Sequence, residues 1–492
     1  MLPGAPGRPR HLRGEPTAMP PPPNILLITT DQQRRDTLSC LGAPIGRTPH
    51  LDALAARGVV FDRCMIQNPV CIPSRACLQT GRYTWQHGVR YMENEIDTTP
   101  GLPPWEWSLH ERLRRAGYHT AAFGKIHMMP ERGFDTMEVT GGKGARWTQS
   151  TGLPIGPGPL GPQYAAWVEA REPGGYERIY EVRRHPDYKQ HLTAIPFPLS
   201  AELHPDAWIG GNTADFIANP PAAPWFVQCG FTGPHGPLDV PPEYLGRYEP
   251  NDMPVPHGWD ADLSAHFPYR HGARPRTPEE LARARRFTAY YHGLMDLLDD
   301  QVGRIMATLD RRNLWDNALV MFVSDHGEMR GDFGAYGKGN FYDPVANVPC
   351  IVVPPGGASA AVGHDPIEMF DLAPTALDYA GLPLPPHMAA RSLRPQVETG
   401  APGRGAAFGD YVTNDRRTAC AYCRTDRHKL VLWTTGDERF GELFDLHDDP
   451  GELNNRYEDP ALAGVRRTLT EMILQRRLQV DAPPPREEWE GA

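Results

Sequence analysis

The 492-residue chain sets 50 Lys and Arg against 60 Asp and Glu, a formal net charge of −10, with 40% hydrophobic and 22% charged residues. That balance leaves no basic footprint for nucleic acid, and the length is enough for a large core in two or three domains. Apolar runs are strand-sized, which excludes a transmembrane helix, and 54 Pro with 49 Gly point to many loops around the core.

Residues 1–23 are rich in Pro, Gly and Arg and lack the apolar stretch of a secretory signal. They read as a disordered extension, with Met19 as an alternative initiator, and a cytoplasmic location is expected. Residues 24–30 form an apolar run without helical period, hence a buried strand that runs into Asp31-Gln32. Thr48-Pro49 opens a helix as N-cap and first residue, Leu51, Leu54 and Ala55 supply its apolar face, and Gly58 ends it.

The next segment, Asn68-Pro69-Val70-Cys71-Ile72-Pro73-Ser74-Arg75, reads as a turn feeding a short helix that stops at Gly81. A cysteine at a helix start faces unpaired N–H groups and the positive end of the dipole. Arg75, four residues on, adds a full charge on the same face, so this place stabilises an anion.

A capped helix at 108–116 stops at Gly117, and a strand at 119–123 runs into Gly124-Lys125-Ile126-His127. Residues 140–199 show little periodicity and are expected as long surface loops that recognise substrate, with Trp105, Trp107, Trp147 and Trp167 as candidate pocket walls. A strand at 225–231 ends at Gly233-Pro234-His235. A long helix follows from Thr277-Pro278 to about 311, with Asp299 and Asp300 expected on its solvated face. The strand 318–324 delivers Asp325-His326-Gly327-Glu328, and 348–353 is a fifth strand.

From about 404 the runs shorten and alternate, as in residues 429–433 and 442–446, which predicts a small antiparallel sheet closed by a helix over 460–478. The domains expected are therefore an α/β unit over 24–403 and a C-terminal unit over 404–492. Eight scattered cysteines form no disulfide framework, and Cys420-x-x-Cys423 lacks the second half of a zinc site.

Four apolar strands thus end in chemically capable residues: Asp31-Gln32, Lys125 with His127, His235, and Asp325-His326. In an open α/β sheet such groups converge beyond the carboxyl ends of the strands. Asp31, Gln32, Asp325 and His326 offer mainly oxygen ligands with two negative charges. They suit a hard cation such as Ca²⁺, with room at His326 for Mn²⁺. Arg75, Lys125, Lys338 and protonated histidines supply positive charge for a tetrahedral oxyanion. A cation and several basic groups around one nucleophile fit hydrolysis of a sulfate or phosphate ester.

Cys71-x-Pro-Ser-Arg followed by x-x-Leu-x-Thr-Gly-Arg resembles the modification motif of the formylglycine-dependent sulfatases. Asp31-Gln32, Gly124-Lys125-x-His127, Pro234-His235, Ser324-Asp325-His326-Gly327 and Gly337-Lys338 are similar to that family's further motifs, in its order. The residues 442–446 with Asp449-Pro450-Gly451-Glu452 resemble its C-terminal hairpin. The resemblance spans about 24–478 and implies an alkaline-phosphatase-like fold: a large mixed sheet flanked by helices, plus the smaller C-terminal antiparallel sheet.

It implies that Cys71 is converted to formylglycine by a formylglycine-generating enzyme, and that its hydrate attacks sulfur. Arg75 and Lys125 would hold that side chain, His235 and Lys338 would grip the sulfate and assist departure of the alcohol, and His127 would then take a proton to expel sulfate. Asp31, Gln32, residue 71, Asp325 and His326 would ligate the metal. The substrate implied is a small-molecule or saccharide sulfate ester, with no nucleic acid or membrane partner and with a homo-oligomer left open.

Many sulfatases carry a second Asp at Gln32 and Asn at His326. The Gln/His pair occurs in the related phosphonate monoester hydrolases, which typically replace Lys125 and His127. The sulfatase reading therefore leads a phosphonate monoester or phosphodiester hydrolase. An inactive anion-binding pseudo-enzyme would have lost at least one of these groups. A plain Cys71 thiolate nucleophile would leave Asp31 and Asp325 unexplained.

Overall fold

The computed structural model describes residues 21–91, 101–128, 131–142, 160–221, 224–267, 276–413 and 416–480. Strands that are apolar on both faces need cover on both faces, and they form the middle of one large sheet. Its strands are β1 (Asn24–Asp31), β2 (Val59–Phe61), β3 (His119–Gly124), β4 (Thr136–Val139), β5 (Trp225–Pro234), β6 (Ala318–Ser324), β7 (Cys350–Val353) and β8 (Ala361–Gly363). Their order is β8-β2-β7-β6-β1-β5-β3-β4. From β6 to β4 every neighbouring pair is parallel, whereas β7 runs antiparallel to both β6 and β2. The sheet is therefore mixed.

Side chains alternate between two cores. Leu26, Ile28, Val227, Cys229, Val320 and Phe322 face helices α1 (Pro49–Ala55), α3 (Pro205–Ala218) and α4 (Pro278–Arg311). Ile25, Leu27, Phe226, Leu319 and Met321 face the other way, in a core that includes Leu78 of α2 (Cys71–Thr80) with Leu109, Leu113 and Leu372. The parallel register sets Thr30 opposite Ser324, Asp31 opposite Pro234 and Gly124 opposite Gly230. Four strand ends thus open on one edge.

Three expectations need correction. Helices stand within 140–199, over Pro162–Glu169 and Gly175–Arg184, with Tyr164, Val168, Ile179 and Tyr180 buried. Their apolar residues recur at three- and four-residue spacing, a period diluted by the Gly and Pro around them. Residues 143–159, with Trp147, lie outside the described residues, as do residues 1–20. Asp299 is not on a solvated face. It is 1% exposed, and its carboxylate accepts the N–H groups of His50 (3.0 Å) and Leu51 (2.8 Å) at the start of α1. Thr48 occupies the N-cap position but caps nothing, so this cap comes from α4, far away in sequence. Asp300 is exposed, as expected.

The C-terminal strands β9 (Ala406–Val412), β10 (Thr418–Thr425), β11 (His428–Thr435) and β12 (Glu438–Asp445) form an antiparallel meander covered by α5 (Ala463–Val480). Cys420 and Cys423 sit three residues apart on β10 and face opposite sides, one packed with Trp433 and the other with Leu469. They can hold no shared metal or disulfide. Lys429 of β11, fully buried, ties this sheet to the loop after Lys338: its ammonium donates to Phe341 O (2.9 Å) and pairs with Asp343 and with Glu452 (2.6 Å). Among the described residues no helix is long and apolar enough to cross a membrane.

Lys429→Met removes the charge between two carboxylates and keeps the stem. A loss of about 3–5 kcal/mol is expected, because buried Glu452 is then left uncompensated while Asp343 keeps only Arg424 (3.3 Å). The fall in the urea midpoint against the unmutated protein measures it.

Candidate active site

The strand ends meet because two glycines let them. A Cβ on Gly124 (φ +85°) would lie 2.2 Å from Gly230 O, and one on Gly230 would lie 2.1 Å from Lys125 O. With neither present, the Lys125 N–H donates to Gly230 O (2.6 Å), and its side chain turns toward β1. Gln32 and His127 follow their strands with left-handed backbones, φ 71° and 50°. Such a conformation in non-glycine residues is held by its surroundings and is common at functional sites.

Cys71 begins α2, buried, beside the ends of β1 and β6. Its Sγ lies 2.6 Å from Lys338 Nζ, 3.3 Å from His326 Nε2 and 3.9 Å from Asp31 Oδ1. One turn later Arg75, 1% exposed, donates from Nε to Asp325 Oδ2 (2.8 Å) and from Nη1 to Lys125 O (3.1 Å). Lys125 Nζ pairs with Asp31. Ser74 Oγ donates to Asp325 O (2.5 Å), so two consecutive motif positions of α2, Ser74 and Arg75, are spent on the strand ends.

Charge follows from this packing. Burial pushes the Asp31 carboxyl up, but Lys125, His235, Lys338 and Arg75 together hold it well below the carboxylate range. Burial and Asp31 push the Cys71 thiol up, and Lys338, Lys125 and His326 more than offset them, so it sits well below an ordinary thiol. Burial and the cations Lys125 and Arg75 hold His127 well below its usual value, and its Nδ1 is buried without a hydrogen-bond partner.

His235 is brought down to about 4, by burial first and then by Lys338 and Lys125 against the pull of Asp31. The positive charge expected of protonated histidines is therefore absent at His127 and His235. Both are neutral near pH 7, with burial as the first cause and the lysine ammoniums as the second. His235 Nδ1–H donates to Gly236 O (2.6 Å), and its backbone N–H donates to Asp31 O (3.0 Å).

Asp31, Cys71, Asp325 and His326 form a buried group whose donor atoms all lie within 4.8 Å of one another. Their chemistry fits a divalent cation. His326 Nδ1–H donates to Gly327 O (3.0 Å), which leaves Nε2 as the ligand atom. Gln32, whose N–H donates to Asp325 Oδ1 (3.1 Å), has a buried Oε1 with no hydrogen-bond partner. Two carboxylates, an amide oxygen and one imidazole make an oxygen-rich set with two negative charges.

All ten residues singled out for chemistry in the sequence thus gather at this edge. Of the described tryptophans, Trp107 lies 3.3 Å under the Arg115 guanidinium, Trp167 lies 4.3 Å under that of Arg171, and Trp105 is 41% exposed. Two supporting residues escaped the sequence. Tyr291 of α4 donates its hydroxyl to Gln32 O (2.7 Å) and accepts Arg34 N–H (2.9 Å). Asp206, at the start of α3, accepts from Thr232 N (2.7 Å), Thr232 Oγ1 (2.9 Å) and Gly233 N (3.2 Å), and so holds the approach to His235. Only the Pro205-Asp206 helix start carried any signal; a tyrosine on an amphipathic helix carries none.

Family models match over most of the chain: "Sulfatase" over residues 23–382 and "N-sulphoglucosamine sulphohydrolase, C-terminal" over 331–479. An arylsulfatase of Clostridium perfringens is 29% identical over 450 residues, 86% of this chain and 87% of that protein. An N-acetylglucosamine-6-O-sulfatase of Bacteroides thetaiotaomicron is 24% identical, over 92% of this chain and 85% of its own length. Among solved structures, a phosphonate monoester hydrolase of Agrobacterium radiobacter superposes with a TM-score of 0.76 at 26% identity, covering 93% of this chain and 96% of that one.

In metal-free protein carrying unmodified cysteine, Cys71 is expected to ionise well below an ordinary thiol, whereas burial takes Cys40 to about 11 and Cys229 and Cys423 to about 12. Removing the ammonium in Lys338→Met takes away a charge that favours the thiolate, so the Cys71 titration moves to higher pH. Thiolate absorbance at 240 nm against pH, compared with Cys71→Ser, checks both statements.

Proposed function

The chain belongs to the sulfatase family and hydrolyses sulfate esters, and we propose that it does so at Cys71 as formylglycine, beside a divalent cation held by Asp31, Gln32, Asp325, His326 and residue 71. One observation carries this reading: Cys71 begins a buried helix against two carboxylates and an imidazole, with the Lys338 ammonium 2.6 Å from its sulfur. A thiol enzyme has no use for the carboxylates; a hydrated aldehyde beside a cation does. When bound, Ca²⁺ or Mn²⁺ supplies positive charge against the non-bridging oxygens of the ester. The hydrated aldehyde supplies the nucleophilic hydroxyl.

The rest falls to the chain's own side chains. Arg75 and Lys125 compensate Asp325 and Asp31 and keep residue 71 in an electropositive seat. Lys338 donates to a sulfate oxygen and to the departing alcohol oxygen. His235, neutral with Nδ1–H committed to Gly236, offers Nε2 as an acceptor until a bound anion raises its proton affinity. His127, neutral and with an unpartnered Nδ1, takes the proton from the hydroxyl left on residue 71 when sulfate departs. The substrate we propose is a small-molecule or saccharide sulfate ester, and a formylglycine-generating enzyme is the transient partner. Eight free cysteines support a reducing, cytoplasmic setting as part of the same proposal. The Gln32/His326 pair and the phosphonate monoester hydrolase likeness favour phosphonate monoesters as a second substrate class.

The test begins with the mass of the tryptic peptide 64–75 from the native host. Residue 71 is expected to have lost sulfur and gained an aldehyde oxygen. Aryl and sugar sulfates and phosphonate monoesters are then assayed before and after chelation. Turnover should vanish on metal removal and return with Ca²⁺ or Mn²⁺. His127→Ala should lower kcat by about 10²–10⁴-fold. Full activity in protein with an unmodified Cys71, or in Cys71→Ala, would overturn the mechanism.

A further inference from the structure

Glu328 has no part in the chemistry above, yet it is 2% exposed and its carboxylate faces two ways. Oε1 accepts the backbone N–H of Arg330 (3.0 Å) and that of Gly337. Oε2 accepts the side-chain amide of Gln32 through Nε2. Gln32 has little other freedom. Its backbone is pinned in the left-handed region by Asp325 on its N–H (3.1 Å) and by the Tyr291 hydroxyl on its carbonyl (2.7 Å). The one freedom that this pinned backbone leaves is which end of the amide meets Glu328, and that end is Nε2.

With Oε1 of Glu328 taken by two backbone N–H groups and Oε2 by the Gln32 NH₂, the amide oxygen Oε1 of Gln32 is left for the other side, where it is buried with no hydrogen-bond partner. The same carboxylate closes the loop that bears Lys338, together with Met329 N–H on Gly337 O (3.0 Å). That loop sets Lys338 Nζ 2.6 Å from Cys71 Sγ and 2.8 Å from His326 Nε2.

We propose that Glu328 is a positioning residue that turns the Gln32 amide oxygen toward the divalent cation and, through Gly337, sets Lys338 beside residue 71. The inference rests on the cation site proposed above. It makes a definite statement about Glu328→Gln. The glutamine must keep its oxygen on the Arg330 and Gly337 N–H groups, so it presents NH₂ to Gln32. Two donors then face each other, the Gln32 amide turns over, and its NH₂ enters the cation site. Exchanging the groups, Gln32→Glu with Glu328→Gln, restores a donor against an acceptor with the same atoms and the same total charge. It leaves a carboxylate oxygen for the cation.

The measurement is calorimetric titration of metal-stripped full-length protein with Ca²⁺ and, separately, Mn²⁺, alongside thermal unfolding of each variant. Glu328→Gln is expected to bind about 10–100-fold more weakly, while the exchanged double variant returns to within a few-fold of the unmutated protein. Unchanged affinity in Glu328→Gln would overturn the proposal. So would weak binding that the exchange does not recover, since that marks a role in loop stability alone. Should the single variant not fold, the double variant decides: native melting with tight binding upholds the proposal, and weak binding overturns it. Failure of the unmutated protein to bind either cation would remove the cation site and this inference with it. Tight binding there with no effect of Glu328→Gln removes this inference alone.

Discussion

Everything at the active edge depends on compensating two buried carboxylates. Asp31 and Asp325 are fully buried at the ends of neighbouring parallel strands, and an isolated ionised carboxylate there would be prohibitively costly. Arg75 and Lys125, 1% and 4% exposed, supply the compensation. Arg75 reaches Asp325 from α2 while also bonding Lys125 O, and Lys125 reaches Asp31 from β3. The pairs therefore fix three elements relative to one another, and residue 71 is carried into place by the helix turn that ends at Arg75. Placement of residue 71 and charge balance are one arrangement.

The same field sets protonation. Cations close enough to hold Asp31 and Cys71 ionised are close enough to keep His127 and His235 neutral. A neutral imidazole able to accept a proton and an ammonium that stays charged thus share a small volume. Their difference comes from chemistry: burial and neighbouring positive charge suffice to discharge an imidazole, while Lys338 keeps its proton because Cys71, Asp31 and Asp325 face it.

Much of this was legible in the chain. Fully buried strands announce themselves as apolar runs, so β1, β3, β5 and β6 were found with their chemistry at their ends, and the rule for open sheets placed those ends together. What escaped has a common cause. Asp299 capping α1, Lys429 tying the small sheet to the loop after Lys338, Asp206 behind His235 and Tyr291 behind Gln32 all meet polar partners outside their own element. Nothing local distinguishes a polar residue that faces water from one that meets a partner some 250 positions away. The helices within 160–190 were hidden differently, by Gly and Pro at their boundaries. The histidine charges were misjudged because composition reports how many cations there are and not how closely they crowd.

The neutral Gln32 amide has a consequence for substrate choice. A third carboxylate at that position would cancel more of the charge of a bound cation; an amide and an imidazole leave more of it for the substrate. Sulfate monoesters and phosphonate monoesters are both tetrahedral monoanions near neutrality, so net charge does not separate them at this edge. They differ in what replaces the third non-bridging oxygen: sulfate presents another oxygen, and a phosphonate presents carbon. Discrimination therefore falls on the donors that face that position, and Lys125 and Lys338 are those whose charge the fold has built around residue 71. An oxygen there can accept a hydrogen bond from them. A carbon cannot, and a buried ammonium facing it would go unsatisfied. By that argument the lysines, more than the residues proposed to hold the cation, make this a site for sulfate.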